Sequence, residues 1–203
     1  IPYHQLNKRW IKKRKNLYEM TQAGHNRPVR FLVDLDGDEN TPEEKVGQVI
    51  EAYLQGFHTE FRLDDVRVIV LKSEGKKFSY HIIFCVWFDN WHESCHNFGN
   101  AIAMRHPELL DVIDVGLWSS WRQIRMVWCE KLNSGRPLIM PEGCTLADTL
   151  LHHYGTDQPT EVLTYEAPTI TQEVRRVTVS RSVQLLQTAF TSPDDWQPGE
   201  LQD

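Results

Sequence analysis

The run 78–88, FSYHIIFCVWF, constrains this chain more than any other feature. It is dense in aromatic and β-branched residues, which predicts a strand. It is apolar at most odd and even positions alike, which predicts partial burial on both faces. Two shorter runs of the same kind, VRFLVDL (29–35) and VRVIVL (66–71), predict further strands. Between those two, GDENTPEE predicts a turn and a helix start, with Thr41 as N-cap, Pro42 in the first turn and Glu44 at the capping-box position. That helix is expected to continue through Val46, Val49, Ile50, Tyr53 and Leu54 and to stop at Gly56. Residues 89–106 predict a second helix, with Trp91, Cys95, Phe98 and Ile102 along one side. A short turn is expected at Pro107–Leu110. VIDVGLW (112–118) predicts another strand, RQIRMVWC (122–129) its hairpin partner, and Asn133, Gly135 and Pro137 the turn after it. The order strand, helix, strand, strand, helix, strand, strand is that of an α+β fold, with a mixed or antiparallel sheet and helices on one face.

Charge divides the chain unevenly. Residues 1–30 hold eight Lys/Arg and one Glu, a net of +7, whereas the remainder holds 14 Lys/Arg and 27 Asp/Glu, a net of −13. Six of the basic residues lie between Lys8 and Lys15. Three regions follow: a basic arm over 1–28, a core over 29–155, and an acidic, partly disordered extension over 156–203. A helix is expected over 3–20, with Leu6, Trp10, Leu17 and Met20 as its apolar positions, and apolar spacing over 172–190 allows one more strand or helix there. The arm is either a nucleic-acid contact, gaining affinity by counterion release, or a solvated basic face. Seven Trp, eight Phe and six Tyr exclude a wholly disordered chain. No run approaches the roughly 18 apolar residues of a membrane span, so no membrane partner is expected. Four irregularly spaced Cys, and a basic N-terminus with no apolar run behind it, predict a reducing, intracellular setting.

Three clusters carry candidate chemistry. Asp34-x-Asp36 ends a strand, where residues i and i+2 share a face. Two adjacent carboxylates repel, and a divalent cation with a preference for oxygen, Mg²⁺ or Mn²⁺, would neutralise them. The plain alternative is a solvated acidic turn, since Asp38 and Glu39 follow. Lys77-x-Ser79-x-His81 has the same period and offers donors for phosphate oxygens; an edge strand with one polar face would look alike. Asp114 interrupts an apolar run, where a carboxylate is costly unless paired or coordinated, and Arg122, Arg125 and Lys131 follow as fixed cations. Together these supply what two-metal phosphoryl chemistry needs: carboxylates for two ions and cations for a polyphosphate.

These segments, FLVDLD, KKFSYHIIF and VIDVGLWSSWRQIRMVWCEK, resemble the archaeo-eukaryotic primase superfamily. That family carries D-x-D or D-x-E at a strand end, then S-x-H on a strand, then a strand Asp. The third segment is similar to the D-x-G-x-Y/W…R-x-x-R…K pattern of primase-polymerases and viral helicase-primases. The resemblance covers roughly residues 29–131, and Trp118 takes the place of the usual Tyr as an aromatic platform. It implies an RRM-like sheet beside a second small αβ module, and a DNA primase or primase-polymerase activity. It implies that Asp34, Asp36 and Asp114 hold two Mg²⁺ or Mn²⁺ ions, that Ser79 and His81 bind the incoming nucleotide's phosphates, and that Lys77, Arg122, Arg125 and Lys131 contact phosphates or template. The implied partners are a single-stranded DNA template, nucleoside triphosphates and a helicase domain or subunit. Cys85, His92, Cys95 and His96 superficially form a zinc set, but their predicted strand and helix positions argue against structural zinc. Two other readings stand beside this one: a silent RRM-like module that binds single strands without the three carboxylates, and another metal-dependent phosphoryl enzyme such as a nuclease.

Overall fold

A computed structural model describes residues 17–24, 27–131, 134–154 and 159–166. In chain order these form β1 (Tyr18–Gln22), β2 (Val29–Asp36), α1 (Glu44–Phe61), β3 (Val68–Ser73) and β4 (Ser79–Phe88). A π-helical turn (Trp91–Cys95) then runs into α2 (His96–Arg105), followed by β5 (Trp121–Arg125) and β6 (Leu138–Ile139). The fold is α+β, with two sheets whose strand pairs are all antiparallel: four strands in the order β2-β4-β3-β6, and the two-stranded ribbon β1-β5.

The apolar run 79–88 lies between β2 and β3, so both its edges are paired and both its faces are covered. One face of β2 carries Phe31, Val33 and Leu35, opposite Phe84, Ile82 and Tyr80 of β4. Phe31 is the hub of this layer. Its ring centroid lies 5.2–5.8 Å from those of Tyr53, Phe57, Phe84, Phe88, Phe98 and Trp118. Such pairs contribute roughly 0.5–1.5 kcal/mol each beyond their buried area. The helix α1 lays Val49, Ala52, Tyr53 and Phe57 into this core. It does not stop at Gly56. That residue is where α1 meets α2: a Cβ there would stand 2.6 Å from Ile102 Cδ1. The helix ends instead at Arg62, in the left-handed conformation at φ 60°. Nor does Thr41 cap the helix. Its hydroxyl accepts from Asp38 N–H at 3.0 Å and so closes the preceding turn.

Several further expectations are corrected. Residues 18–22 form a strand where a helix was expected, because Glu19 and Thr21 face inward while Met20 and Gln22 face water, a period of two. Residues 112–118 are not a strand. Only Ile113 makes a bridge, with Leu35, and Asp114 then caps a 3₁₀ turn over Val115–Trp118. The strand after it, β5, therefore pairs with β1 and not with 112–118. Where a second αβ module was expected, the described residues show the ribbon β1-β5. Residues 159–166, assigned above to the acidic extension, run along β4: Leu163 N–H donates to Trp87 O at 2.7 Å, and Tyr165 is buried against Phe61 and Phe98. The basic cluster Lys8–Lys15 and its helix, Asn133, the element at 172–190 and the expected disorder of the last residues lie outside the described residues.

Candidate functional site

The second face of β2 carries Leu32, Asp34 and Asp36. In the antiparallel register Asp34 faces His81 and Asp36 faces Ser79 on β4. On the other edge of β2 runs the segment 112–114. Asp36 N–H donates to Val112 O and Asp114 N–H to Asp34 O, both at 2.9 Å, straddling the Leu35–Ile113 bridge. This register places Asp114 directly across from Asp34, a position with Cβ atoms typically about 5 Å apart. Three carboxylates from two distant segments thus share one patch of sheet, with Ser79 and His81 beside them.

The patch opens into a cavity of about 200 Å³ lined by Tyr18, Asp34, His81, Asp114, Leu117, Arg122, Gln123, Ile124, Arg125 and Lys131. Six of the nine residues expected from sequence line it. Asp36 and Ser79 are adjacent by register, and Lys77 joins them through an ion pair from Nζ to Asp36 Oδ1 at 2.5 Å. A larger cavity of about 340 Å³, lined by Arg30, Trp87, Ala147, Leu150, His152, His153 and Tyr154, holds none of the nine.

Burial raises the Asp34 carboxyl from an ordinary 3.8 to about 7. The Asp114 and Asp36 charges add to that rise, while Lys131 and Arg125 oppose it. Burial also pushes His81 down to about 3, helped by Arg125 and Lys131, so its imidazole is neutral at pH 7. The 3.6 Å contact between His81 Nε2 and Asp34 Oδ1 is therefore not an ion pair at that pH. Arg125 is buried and donates from Nη1 to Arg136 O at 3.0 Å, while its Nε and Nη2 are buried without a partner. A buried guanidinium with unpaired donors is suited to an anion. Arg122 is held differently: Nε and Nη2 both donate to Gly116 O, at 2.9 and 2.6 Å. It clamps the turn that positions Asp114, whose Oδ1 accepts from Gly116 N–H at 2.9 Å.

Oxygen donors of this kind fit Mg²⁺ or Mn²⁺, and a divalent ion would neutralise the Asp34 patch. As the side chains stand, however, the described residues contain no group of three or more His, Cys, Asp or Glu gathered as a metal cluster. Asp36 is engaged by Lys77 and Asp114 by Gly116. Cys85 sits half-buried on β4, and Cys95 is fully buried with its thiol pushed up by burial, while the His92 and His96 rings stack with centroids 5.7 Å apart.

Trp118 is not an exposed platform. It is fully buried, stacked on Phe31, and its indole N–H donates to Leu32 O at 3.0 Å. Sequence reasoning missed Tyr18, Gly116 and Gln123. The Asp114-x-Gly116 spacing is an Asx-turn signal that identifies the second; the first and third depend on the β1-β5 pairing, which leaves no local trace. No helix among the described residues is long and apolar enough to cross a membrane. No family model matches this chain, and no curated protein matches it.

Proposed function

We propose that this chain is the catalytic domain of a DNA primase or primase-polymerase, joining nucleotides on a single-stranded DNA template. The observation that carries the reading is the convergence of Asp34, Asp36 and Asp114 on one sheet patch, beside a cavity walled by Arg122, Arg125 and Lys131. The element order supports it as well. With Ile113 bridging the free edge of β2, the chain runs β2-α1-β3-β4-α2 and back to β2, the split βαβ arrangement of RRM-like sheets.

Asp34, Asp36 and Asp114 would hold two Mg²⁺ or Mn²⁺ ions, which offset charge on the attacking and leaving oxygens in nucleotidyl transfer. Arg125 offers its two unpaired nitrogens to the incoming triphosphate, and Lys131 adds a fixed charge at the rim. Neutral His81 contributes a single N–H donor, and Ser79 a hydroxyl. Arg122 holds the Asp114 turn in register. Lys77 neutralises Asp36 until the site is filled, and its ammonium is then released to the phosphates.

The test is primer synthesis and extension on single-stranded DNA with labelled nucleotides and either ion. Wild-type chain should give product, and Asp36→Asn and Asp114→Asn should each lose at least a hundredfold in rate. A wild type that makes no product with either ion, yet binds single strands as well as both variants do, would replace this reading with the silent binding module.

A further inference from the structure

The ribbon β1-β5 has one mostly buried face and one that is exposed at Met20, Gln22, Trp121 and Gln123 and buried at its Arg125 end. Glu19, Thr21 and Ile124 point inward. The register pairs Tyr18 with Arg125, Met20 with Gln123, and Gln22 with Trp121, so these six side chains share the other face. Tyr18, Arg125 and Gln123 line the cavity. From there the face continues outward to Met20, 40% exposed, and to Trp121, 54% exposed. Along β5 the distance from Arg125 to Trp121 is about 14 Å. An indole more than half in water has no packing role of comparable size. Here it ends a continuous strip that starts in the candidate active site.

The composition of the strip selects its occupant. It holds no carboxylate, in a chain with 28 Asp and Glu and a net charge of −6. It has a cation at its inner end, two amides for hydrogen bonding, and two aromatic rings and a thioether for flat apolar contact. That set fits a strand of alternating phosphates and bases, whose bases stack on aromatic faces regardless of sequence. A protein helix docked on the strip would leave Gln22 and Gln123 facing apolar atoms.

We infer that this open ribbon face is the track along which single-stranded template reaches the cavity, with Trp121 as the stacking platform for a template base. The inference rests on the nucleotidyl-transfer reading for what happens at the cavity end. Its test needs no chemistry. Binding of a fluorescein-labelled oligo-dT to the full chain is measured by anisotropy at several salt concentrations, with neither nucleotide nor divalent ion present. Trp121→Ala should weaken binding roughly tenfold or more. The slope of log affinity against log salt should not change, because stacking releases no counterions. Trp121→Phe should recover most of the affinity, and Met20→Ala should lose a few-fold. Met104→Ala, an exposed methionine on α2 away from the strip, should bind like wild type.

Binding by Trp121→Ala within twofold of wild type overturns the inference. So does a loss that Trp121→Phe shares in full, since that would mark a packing role. The two readings fail separately. Stacking on Trp121 without primer synthesis removes the chemistry and keeps the track, whereas synthesis with unchanged binding by Trp121→Ala removes the track and keeps the chemistry.

Discussion

Asp34→Asn should stabilise the protein in a manner that depends on pH. The Asp34 carboxyl ionises at 3.8 when exposed and at about 7 in the folded chain, because folding buries it beside Asp114 and Asp36. Its folded pKa is raised, so its contribution to stability is fully present below pH 3.8 and is lost as pH rises through about 7. The full difference corresponds to about 4 kcal/mol at pH 8. Asparagine keeps the shape and has no charge to desolvate. In chelator, the variant should match wild type near pH 4 and exceed it by about 4 kcal/mol at pH 8, or roughly 8–16 °C in Tm for a domain of this size. Urea melts at the two pH values measure this directly. The comparison between variants is needed because His81 works in the opposite direction: its folded pKa is lowered from 6.5 to about 3, so its contribution is present above pH 6.5 and is lost as pH falls toward 3. In wild type alone the two trends oppose each other between pH 4 and 7. A gap between Asp34→Asn and wild type that is equal at pH 4 and pH 8 would refute the argument that burial and like charge load this carboxylate.

Two other substitutions probe the frame around it. Gly99→Ala places a methyl 2.6 Å from Trp118 Cε2, and Trp118 is wedged between Phe31 and α2; overpacking should cost about 1–3 kcal/mol in a thermal melt. Arg125→Met removes a buried charge with two unpaired donors, so its own stability should equal or exceed that of wild type. Added pyrophosphate should then raise the melting temperature of wild type and not that of Arg125→Met.

The strands β2, β3 and β4 and the helices α1 and α2 were legible because each is a local pattern of apolar residues. The Asp34-x-Asp36 pair and Ser79-x-His81 followed from period two on those strands, and the register sets them side by side as that period implies. What the sequence hid is of two kinds. Leu117 and Trp118 resemble strand residues, yet Asp114 and Gly116 turn the backbone first, so that Leu117 lines the cavity and Trp118 is buried against Phe31 and α2. The ribbon was hidden for another reason. Nothing near Tyr18 signals that its partner is Arg125, about a hundred residues on, and Leu17 and Met20 fit a helical spacing equally well. Arg122, expected to contact phosphates or template, lines the cavity with its guanidinium bonded to Gly116 O.

That ribbon sets the order in which the protein can be made. The aromatic cluster around Phe31 is drawn from residues between Val29 and Trp118, whereas the wall of the cavity formed by Tyr18 and Arg125 closes only when the two ends of that stretch come together. Loop closure over so long a span is slow compared with the pairing of β2 with β4. A chain emerging from the ribosome would therefore assemble its core first, with β1 waiting unpaired, and acquire a complete cavity as one of its last steps. Refolding followed through a core tryptophan and through ligand binding at the cavity should give two different time courses, the second slower.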